Sequence, residues 1–321
     1  MKKALITGIN GQDGSYLAEL LLSKGYEVWG TLKRNSVTES QTSRISDIDV
    51  KLEYADMLDM SSLIRILQLC QPDEIYNLAA QSDVRISFDQ PIYTTQTIAI
   101  GTLNLLEAIR LTCQETKLYQ ASSSEMFGNN IDDDGYQRET TPMSPVSPYG
   151  CAKVYAYNIC RNYRNAYDMF ISNGILFNHE SPRRGTNFVT NKVCKEAVKI
   201  KLGLSNELKL GNLESSRDWG HAKDYVEAMW LMLQQDSPDD FVCSTGISHT
   251  VKDLVKYVFT KLDLDWTKYV GIDERFYRQE ELQHLKGDCS KAKKILNWNH
   301  NYTFESMLDE MIEYWINKLN N

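Results

Sequence analysis

The stretch Ala4-Leu5-Ile6-Thr7-Gly8-Ile9-Asn10-Gly11-Gln12-Asp13-Gly14 decides the fold of this chain. A short apolar run leads directly into a turn with three glycines, and an amphipathic segment follows the turn. Glycines at this place let the backbone approach a pyrophosphate, and the amide groups and dipole at the start of a helix favour its negative charge. The stretch predicts a strand, a turn and a helix that bind a dinucleotide; a glycine turn without a ligand is the alternative.

The rest of the first half repeats this alternation of short apolar runs and longer helical segments. The predicted strands are Ala4–Thr7, Tyr26–Leu32, Lys51–Tyr54, Glu74–Asn77, Lys117–Ala121 and Ser172–Phe177. Between them lie amphipathic segments with apolar residues at three- and four-residue spacing, among them Tyr16–Ser23, Met60–Cys70 and Thr94–Leu111. Strands that alternate with helices predict an α/β fold with a doubly wound parallel sheet.

The pattern changes after residue 177, where glycines interrupt basic and aromatic segments. We therefore predict that residues 1–177 form a dinucleotide-binding domain and that residues 178–321 form a smaller α/β domain that binds the substrate. Parts of residues 213–245 and 285–299 are candidates for a return to the first domain. The sequence shows no flexible linker between the two, so we expect the site in a cleft between them.

Composition disfavours several classes of protein. The chain has 321 residues, 42% hydrophobic and 24% charged, which excludes a mainly disordered chain. A formal net charge of -8 would repel a polyphosphate backbone or an anionic membrane, so neither nucleic acid nor membrane is expected as a partner. No apolar run reaches about 18 residues, and the first residues lack the pattern of a signal peptide, so no anchor is expected.

The cysteines argue for a reducing compartment. There are seven, spread along the chain and without a CxxC pair, which suits neither a disulfide framework nor a structural zinc site. No other spacing of His, Cys and carboxylates indicates a metal. We therefore expect a cytoplasmic protein whose site holds no metal.

The end of the second predicted strand indicates which dinucleotide binds. Folds that bind NAD carry an Asp or Glu there for the ribose hydroxyls, whereas this chain continues with Lys33-Arg34-Asn35-Ser36. Two cations and two small hydrogen-bonding side chains suit a 2′-phosphate and predict NADP; a solvated surface turn is the alternative. Asp56-Met57 and Leu78-Ala79-Ala80 end the next two strands, where adenine and ribose would rest.

A catalytic constellation follows the fifth predicted strand. Ser147-Pro148 is typical of a helix start, and it places Tyr149 and Lys153 four residues apart on one helix face. An ammonium beside a phenol favours the phenolate, so Tyr149 can act as a base. The strand itself ends in Ser122-Ser123-Ser124-Glu125, whose carboxylate would be a second base beside the reacting centre. A surface carboxylate without a role is the alternative for Glu125.

The second half concentrates cations on an acidic chain, as the binding of a small anion such as a pyrophosphate would require. These cations are Arg183, Arg184, Lys192, Lys195, Lys199, Arg217 and Arg278. In a helix predicted over residues 188–202, Lys195 and Lys199 are expected to be solvated. Arg217, just before Asp218-Trp219, is the stronger candidate.

Several long runs make a family resemblance specific. They are TGINGQDGSYLAELLL, YNLAAQSDV, YQASSSEMFG, SPYGCAKVYAYN, NGILFNHESPRRG, NFVTNKV and RDWGHAKDYVEAMW. With these runs, which cover most of the chain, the sequence resembles the GDP-mannose 4,6-dehydratases, which are extended short-chain dehydrogenases/reductases with a Rossmann-type fold. The glycine spacing GxxGxxG, rather than GxGxxG, points to the same class.

The resemblance implies roles for individual residues, and a homodimer or homotetramer. Catalysis would fall to Ser123, where the family usually has Thr, to the bases Glu125 and Tyr149, and to Lys153 as the partner of Tyr149. The implied cofactor contacts are Gly8, Asn10, Gly11, Gln12, Asp13, Gly14, Lys33, Arg34, Asn35, Ser36, Asp56, Met57, Leu78, Ala79, Ala80, Ser82, Tyr93, Tyr149, Lys153, His179 and Arg184. The implied substrate contacts are Ser124, Asn178, Lys192, Arg217, Arg278 and Glu281.

The chain departs from the family pattern at several positions. Lys33-Arg34 replaces paired arginines, Asp83 replaces His, Gln279 replaces Pro, and Asp132-Asp133-Asp134 forms an acidic loop. The change to Lys33 is chemically mild. The other departures leave open whether the sugar is mannose, a heptose, an amino sugar or dTDP-glucose.

What the resemblance implies is a redox-neutral, NADP-dependent 4,6-dehydration of a GDP-hexose, GDP-mannose above all. Tyr149 would remove the hydroxyl proton at carbon 4 and Glu125 the proton at carbon 5, and water would leave carbon 6 with help from Ser123 and Ser124. The tightly bound cofactor would be regenerated in each turnover. The alternatives are a nucleotide-sugar epimerase or reductase, which would not require Glu125, and a non-catalytic NADP-sensing protein.

Overall fold

The computed structural model describes residues 1–35, 42–277, 280 and 282–320. The strands are β1 (Lys3–Thr7), β2 (Glu27–Leu32), β3 (Lys51–Tyr54), β4 (Glu74–Asn77), β5 (Lys117–Ser123), β6 (Ile171–Leu176), β7 (Asn178–Glu180), β8 (Leu208–Leu210), β9 (Ser216–His221), β10 (Asp240–Cys243), β11 (Ser248–Thr250) and β12 (Val270–Ile272). Within the described ranges, seven strands form one parallel sheet in the order β10-β6-β5-β4-β1-β2-β3. The order reverses between β1 and β4, and ligands of open α/β sheets bind at the carboxyl ends of strands beside such a reversal.

The helices connect and cover these strands. They are α1 (Gln12–Ser23), α2 (Met60–Cys70), α3 (Val84–Asp89), α4 (Pro91–Thr95), α5 (Gly101–Thr112), α6 (Pro148–Tyr167), α7 (Val189–Lys201), α8 (Ala222–Leu233), α9 (Val251–Lys261), α10 (Ser290–Leu296) and α11 (Phe304–Asn320). A π-helical turn at residues 96–100 joins α4 to α5, so the helix predicted over Thr94–Leu111 consists of three consecutive pieces. In the described part of the chain, no helix has the length and apolar stretch that a membrane crossing requires.

The sheet confirms the predicted fold class. Each of the six predicted strands is present, with ends that differ from the prediction by at most two residues. Strands β4 and β6 are buried along their whole length, and strands of that kind need helices on both faces of the sheet. Leu17 of α1 and Met229 of α8 pack in one core cluster, whereas Leu63 of α2 and Leu105 of α5 pack in another.

Parts of the second half attach to this sheet. Strand β10 lies within the stretch 213–245 and pairs in parallel with β6 at the edge of the sheet. Helix α8 from the same stretch, and Leu296 of α10 from the stretch 285–299, pack in the core cluster that contains α1. Both candidate stretches therefore contain elements that contact the first half of the chain. The domain boundary at residue 177 stays a prediction.

The rest of the second half is a small α/β unit. Strands β11, β9 and β7 form a three-stranded sheet in which β9 runs parallel to β7 and antiparallel to β11, and β12 pairs with β8. Helices α7, α9 and α11 pack around Trp219 and Phe304, whose ring centroids lie 6.0 Å apart. Because β7 starts two residues after β6 ends, this unit adjoins the carboxyl ends of the main sheet.

Candidate active site

A cavity of about 920 Å³ lies where the carboxyl ends of the sheet meet the small α/β unit. Its catalytic wall comes from the end of β5 and the start of α6, and includes Glu125, Tyr149 and Lys153. Its substrate wall comes from β7, α7 and β9, and includes Lys192 and Arg217. The fold thus brings the predicted catalytic and substrate residues of the described chain to one cavity.

The glycine turn at the end of β1 fits a dinucleotide because its backbone leaves no room for side chains. Gly8 has a φ of +69°, and a Cβ there would lie 3.0 Å from the Cα of Ala79. A Cβ on Gly14 would lie 2.6 Å from the Cα of Ile9, so close packing of α1 on β1 requires glycine. The N–H of Gly11 donates to the Gly8 carbonyl at 3.0 Å. No side chain caps α1, so its first N–H groups are available to a pyrophosphate.

Gln12 and Asp13 connect this turn to strand β7. The Gln12 amide donates to the His179 carbonyl at 3.1 Å, and its oxygen accepts from the Ser181 hydroxyl at 2.8 Å. His179 Nε2 lies 2.8 Å from the Asp13 carboxylate. Burial disfavours both charges, but their mutual attraction prevails and lowers the pKa of Asp13 while it raises the pKa of His179. Two predicted cofactor contacts therefore form an ion pair that joins the two halves of the chain.

The end of β2 lies beside the cavity wall rather than in it. Lys33 and Arg34 are exposed. Lys33 Nζ lies 3.1 Å from the Tyr93 hydroxyl and 3.4 Å from the Asp56 carboxylate, and the bond with Tyr93 raises the pKa of Lys33. The Arg34 guanidinium lies 5.7 Å from the centre of the Tyr54 ring. Lys33 thus contacts both Asp56 and Tyr93, and no local sequence pattern indicates a carboxylate beside Lys33.

The other predicted cofactor contacts follow the carboxyl edge of the sheet. Those in the cavity wall are Asp13, Leu78, Ala80, Ser82, Tyr149, Lys153, His179 and Arg184. Those on the adjoining turns and strand ends are Gly8, Asn10, Gly11, Gln12, Gly14, Lys33, Arg34, Asn35, Asp56, Met57 and Ala79, with Tyr93 on α4. Thr7 Oγ1 accepts the N–H groups of Leu78 and Ala79, each at 3.1 Å, which fixes the end of β4 against β1. Ser36, Arg278 and Glu281 lie outside the described residues.

The first part of the catalytic wall is the sharp turn after β5. Ser123 ends the strand, and its Oγ accepts the N–H of Glu125 at 3.2 Å, which caps a 3-10 helix over residues 124–127. Ser124 and Glu125 are both buried and both line the cavity. The local cap therefore fixes a serine hydroxyl and a carboxylate two residues apart.

The second part of the catalytic wall is the start of α6. Ser147 caps the helix by accepting the N–H of Gly150 at 3.0 Å, as its sequence pattern predicts. Lys153 Nζ donates to the Ala121 carbonyl at 2.7 Å and lies 5.7 Å from the centre of the Tyr149 ring. The bond to Ala121 holds the start of α6 against the end of β5, so both parts of the wall are tied together.

Burial dominates the electrostatics of the Tyr149 and Lys153 pair. It raises the pKa of Tyr149 to about 12, and a hydrogen bond with Ser123 offsets only part of this rise. Burial also lowers the pKa of Lys153 to about 8. In the chain alone, Tyr149 is therefore a neutral phenol at pH 7, and its use as a base requires further positive charge beside it.

The substrate wall holds its cations against backbone carbonyls and aromatic rings. Arg217 is buried and donates to the Leu282 carbonyl at 3.0 Å. Lys192 Nζ donates to the Lys209 carbonyl at 2.7 Å and lies 3.6 Å from the centre of the Phe276 ring. Burial lowers the pKa of Lys192. These contacts hold two cations in the wall of one cavity.

Two more predicted groups belong to this wall. The Arg184 guanidinium lies 3.6 Å from the centre of the Phe188 ring, and its Nε is 3.2 Å from the Glu180 carboxylate. Asn178, at the start of β7, also lines the cavity. The prediction that Lys195 is solvated is wrong. Its position on α7 places it in the cavity wall, where it is half-buried.

Two polar residues near the site, Asp218 and Arg44, have no role in the sequence-based prediction. Asp218 is fully buried and accepts the N–H and the hydroxyl of Thr245 at 2.8 and 2.7 Å and the N–H of Gly246 at 2.9 Å. Burial raises its pKa to about 6. Arg44 donates to the Asn10 carbonyl of the glycine turn at 3.1 Å. The run around Arg217 contained Asp218 as a signal, whereas no local pattern marks Arg44.

We find no candidate metal site among the residues that the structure describes. There, no group of three or more His, Cys, Asp or Glu side chains is arranged to hold a metal ion. All seven cysteines are free.

Comparisons with known proteins identify a family and a fold. A family model described as GDP-mannose 4,6 dehydratase matches residues 5–311. GDP-mannose 4,6 dehydratase 2 of Arabidopsis thaliana is 51% identical over 326 residues, which cover 97% of this chain and 86% of that protein. The structure of UDP-glucose 4-epimerase from Thermotoga maritima with UDP-glucose has a TM-score of 0.87 at 25% identity and covers 99% of both chains. The structure of dTDP-glucose 4,6-dehydratase from Bacillus anthracis in complex with NAD has a TM-score of 0.86 at 22% identity, with 100% of this chain and 98% of that chain covered.

Proposed function

The chain belongs to the GDP-mannose 4,6-dehydratase family, and we propose that it removes water from GDP-mannose to give GDP-4-keto-6-deoxymannose. The observation that carries this proposal is the Glu125 carboxylate, which is buried in the cavity wall that also holds Ser123 and Tyr149. A dehydrogenase or an epimerase of this fold needs one base at the reacting centre, whereas dehydration across carbons 5 and 6 needs a second.

The site fits a nicotinamide dinucleotide, for which the glycine turn and the uncapped N-terminus of α1 form the cradle. When bound, the oxidised cofactor supplies a hydride acceptor and a positive charge beside the catalytic wall. NADP is favoured over NAD because Lys33 and Arg34 follow β2 on the exposed edge. Asp56, at 3.4 Å from Lys33, offsets part of that charge, yet Arg34 stands on the same edge.

Tyr149 and Lys153 carry the first proton transfer. Tyr149 takes the hydroxyl proton at carbon 4, and the Ser123 hydroxyl, which shares a hydrogen bond with the phenol, binds the same substrate oxygen. Lys153 keeps its ammonium charge below its pKa of about 8, so at neutral pH it favours the phenolate form of Tyr149. The resulting 4-ketone acidifies the proton at carbon 5.

Glu125 carries the second proton transfer. Its carboxylate removes the carbon 5 proton, and the hydroxyl at carbon 6 leaves as water with a proton delivered beside Ser123 and Ser124. The hydride taken from carbon 4 ends on carbon 6 and a proton returns to carbon 5, so the reaction consumes no reductant. Since both serines and Glu125 lie on the turn capped at 3.2 Å, one rigid piece of backbone supplies all three groups.

The substrate wall would hold the nucleotide. Arg217 and Lys192 line one cavity, and a diphosphate is an anion that two cations suit. Asn178 lies between them and the catalytic wall in chain order and lines the same cavity, so it is placed for the sugar hydroxyls.

Assembly and location are inferred from the surface and the cysteines. Ile92, Ile100 and Leu111 are exposed along the α4–α5 run, and Tyr155 is exposed on α6, which packs against that run. Apolar side chains clustered on neighbouring helices are typical of subunit contacts, so we infer a homodimer or homotetramer. Seven free cysteines suit a reducing cytoplasm. Light scattering after size-exclusion chromatography measures the assembly.

The test of the activity is a panel of GDP-, UDP- and dTDP-sugars incubated with the purified protein and no added reductant. GDP-mannose should give a 4-keto-6-deoxy product identified by mass and NMR, with no net change in NADPH. Stoichiometric formation or consumption of free NADPH would indicate a dehydrogenase or reductase instead. Inversion at carbon 4 without loss of water would indicate an epimerase.

A further inference from the structure

A hydrogen bond joins the two halves of the chain across the cavity wall. The Asn187 side-chain amide donates to Asp83 Oδ2 at 2.5 Å, although the two residues are 104 positions apart. Asp83 lies in the loop after β4, and Asn187 lies in the loop between β7 and α7. Both residues line the cavity, so this bridge borders the space that a ligand occupies.

The Asp83 side of the bridge is held rigidly. Asp83 Oδ1 accepts the N–H of Ile86 at 3.1 Å and so caps α3. The N–H of Asp83 donates to Gln81 Oε1 at 2.6 Å, and the Gln81 amide donates to Thr94 Oγ1 at 3.1 Å. One carboxylate oxygen therefore serves the helix and the other serves Asn187.

The Asn187 side depends on a glycine. A Cβ on Gly185 would lie 2.6 Å from the Asn187 amide oxygen, so the side chain reaches Asp83 only beside a residue without one. The same loop positions Arg184 over the Phe188 ring at 3.6 Å. On the other side of the bridge, Ser82 directly precedes Asp83 and also lines the cavity. The bridge thus connects loops that carry two predicted cofactor contacts, Ser82 and Arg184.

We propose that Asp83 and Asn187 form a clasp that retains the bound dinucleotide between turnovers. This inference rests on the proposed function, because an enzyme that returns its hydride to the product has no need to exchange its cofactor. The two residues touch neither the reacting atoms nor Tyr149, so they are positioning residues. Their bond must open, or the loops must separate together, before the cofactor passes between them.

The experiment measures cofactor release rather than turnover. The purified protein and its variants are loaded with radiolabelled NADP, excess unlabelled NADP is added, and the retained label is followed over time without substrate. Asp83→Ala and Asn187→Ala should each release the label about 10- to 100-fold faster, which is the value of a hydrogen bond to a charged group. The double variant should release it no faster than either single variant, because both changes break one bond.

Two further variants separate the clasp from the helix cap. Asp83→Asn keeps an oxygen for the cap and can donate to the Asn187 oxygen after an amide flip, so release should stay within about threefold of the parent. Asp265→Ala is the matched control, because Asp265 also caps a short helix through the N–H of Thr267, at 3.1 Å, but does not line the cavity. It should leave release unchanged.

The clasp is overturned if Asn187→Ala releases at the parental rate, if the two single effects multiply in the double variant, or if the parent retains no label. Failure of the proposed function is a separate result. If the parent does not dehydrate GDP-mannose but Asp83→Ala and Asn187→Ala still accelerate release, the function fails and the clasp stands. Equal melting temperatures of Asn187→Ala and the parent show that the effect does not come from unfolding.

Discussion

The two walls of the cavity hold their functional groups by different means. On the catalytic wall, Ser123 and Ser147 cap their own turns over two and three positions, and Lys153 donates to the Ala121 carbonyl, 32 positions away. On the substrate wall, Arg217 is fixed by the Leu282 carbonyl 65 positions away. The serine hydroxyls of the catalytic wall are therefore oriented by local caps, whereas the cations of the substrate wall are held by carbonyl groups of other segments.

The two walls also differ in the electrostatic environment of their charged groups. On the catalytic wall, burial moves two pKa values apart, that of Tyr149 up to about 12 and that of Lys153 down to about 8. On the substrate wall, Arg217 and Lys192 donate to the backbone carbonyls of Leu282 and Lys209. Changes on the first wall should lower kcat, and changes on the second should raise KM.

The largest effect is expected for Tyr149→Phe, which deletes the first base and keeps the ring. Turnover of GDP-mannose should fall by about 10,000-fold, the upper value for a general base. Rapid mixing with substrate should show neither enzyme-bound NADPH absorbance nor exchange of the carbon 5 proton with deuterated water. Tyr155→Phe is the control on the same helix, because Tyr155 is exposed and should turn over normally. Substantial carbon 5 exchange by Tyr149→Phe would assign the first step to another group.

Glu125→Gln should affect the second step alone. Turnover should fall by about 100- to 10,000-fold, as expected for loss of a general base. Mixing with substrate should still produce bound NADPH absorbance, because Tyr149 and Lys153 remain, while carbon 5 exchange should be lost. If the variant worked within a few-fold of the parent and still exchanged the carbon 5 proton, Glu125 would not be the base, and the dehydratase proposal would lose its main structural support.

Lys153→Met tests the burial that distinguishes the catalytic wall. The folded-state pKa of Lys153, about 8, lies below its usual value of 10.5, so between these pH values the unfolded chain binds more protons and the parent gains stability as pH rises. Methionine does not titrate. The unfolding free energy of the variant relative to the parent should therefore fall by about 3 kcal/mol between pH 8 and 10.5. Urea unfolding at several pH values measures it, and a constant difference would contradict the buried ammonium.

Arg217→Lys tests the substrate wall, because it keeps the positive charge and removes the planar guanidinium group with its paired N–H donors. The KM for GDP-mannose should rise about 10- to 100-fold, while kcat should stay within about threefold, because the lost bonds act on the bound nucleotide. Lys199→Ala is the control, since Lys199 pairs with Glu196 at 2.9 Å and does not line the cavity. A fall in kcat with an unchanged KM would show that the two walls are not separable.

The same contrast explains how much the sequence can predict. The glycine turn, the six strands and the Tyr149 and Lys153 pair follow from patterns within a few residues, and the structure shows each of these elements near its predicted place. The bond from Arg44 to Asn10 and the bridge from Asn187 to Asp83 span 34 and 104 positions. Contacts between residues so far apart in the chain depend on how the helices and loops pack on the sheet. No local pattern in a single sequence predicts this packing.

The smallest effect is expected at the exposed edge that belongs to neither wall. Replacing both Lys33 and Arg34 by Ala should weaken NADP about tenfold more than NAD, because exposed cations act on the 2′-phosphate through solvent. The effect is limited further by Asp56, which already pairs with Lys33 at 3.4 Å. The matched control is Lys51→Ala with Arg65→Ala, which removes the same charge from cations paired with Glu27 and Glu53. Calorimetric titration with both cofactors measures the ratio, and equal losses for NADP and NAD would make Lys33 and Arg34 an ordinary surface turn.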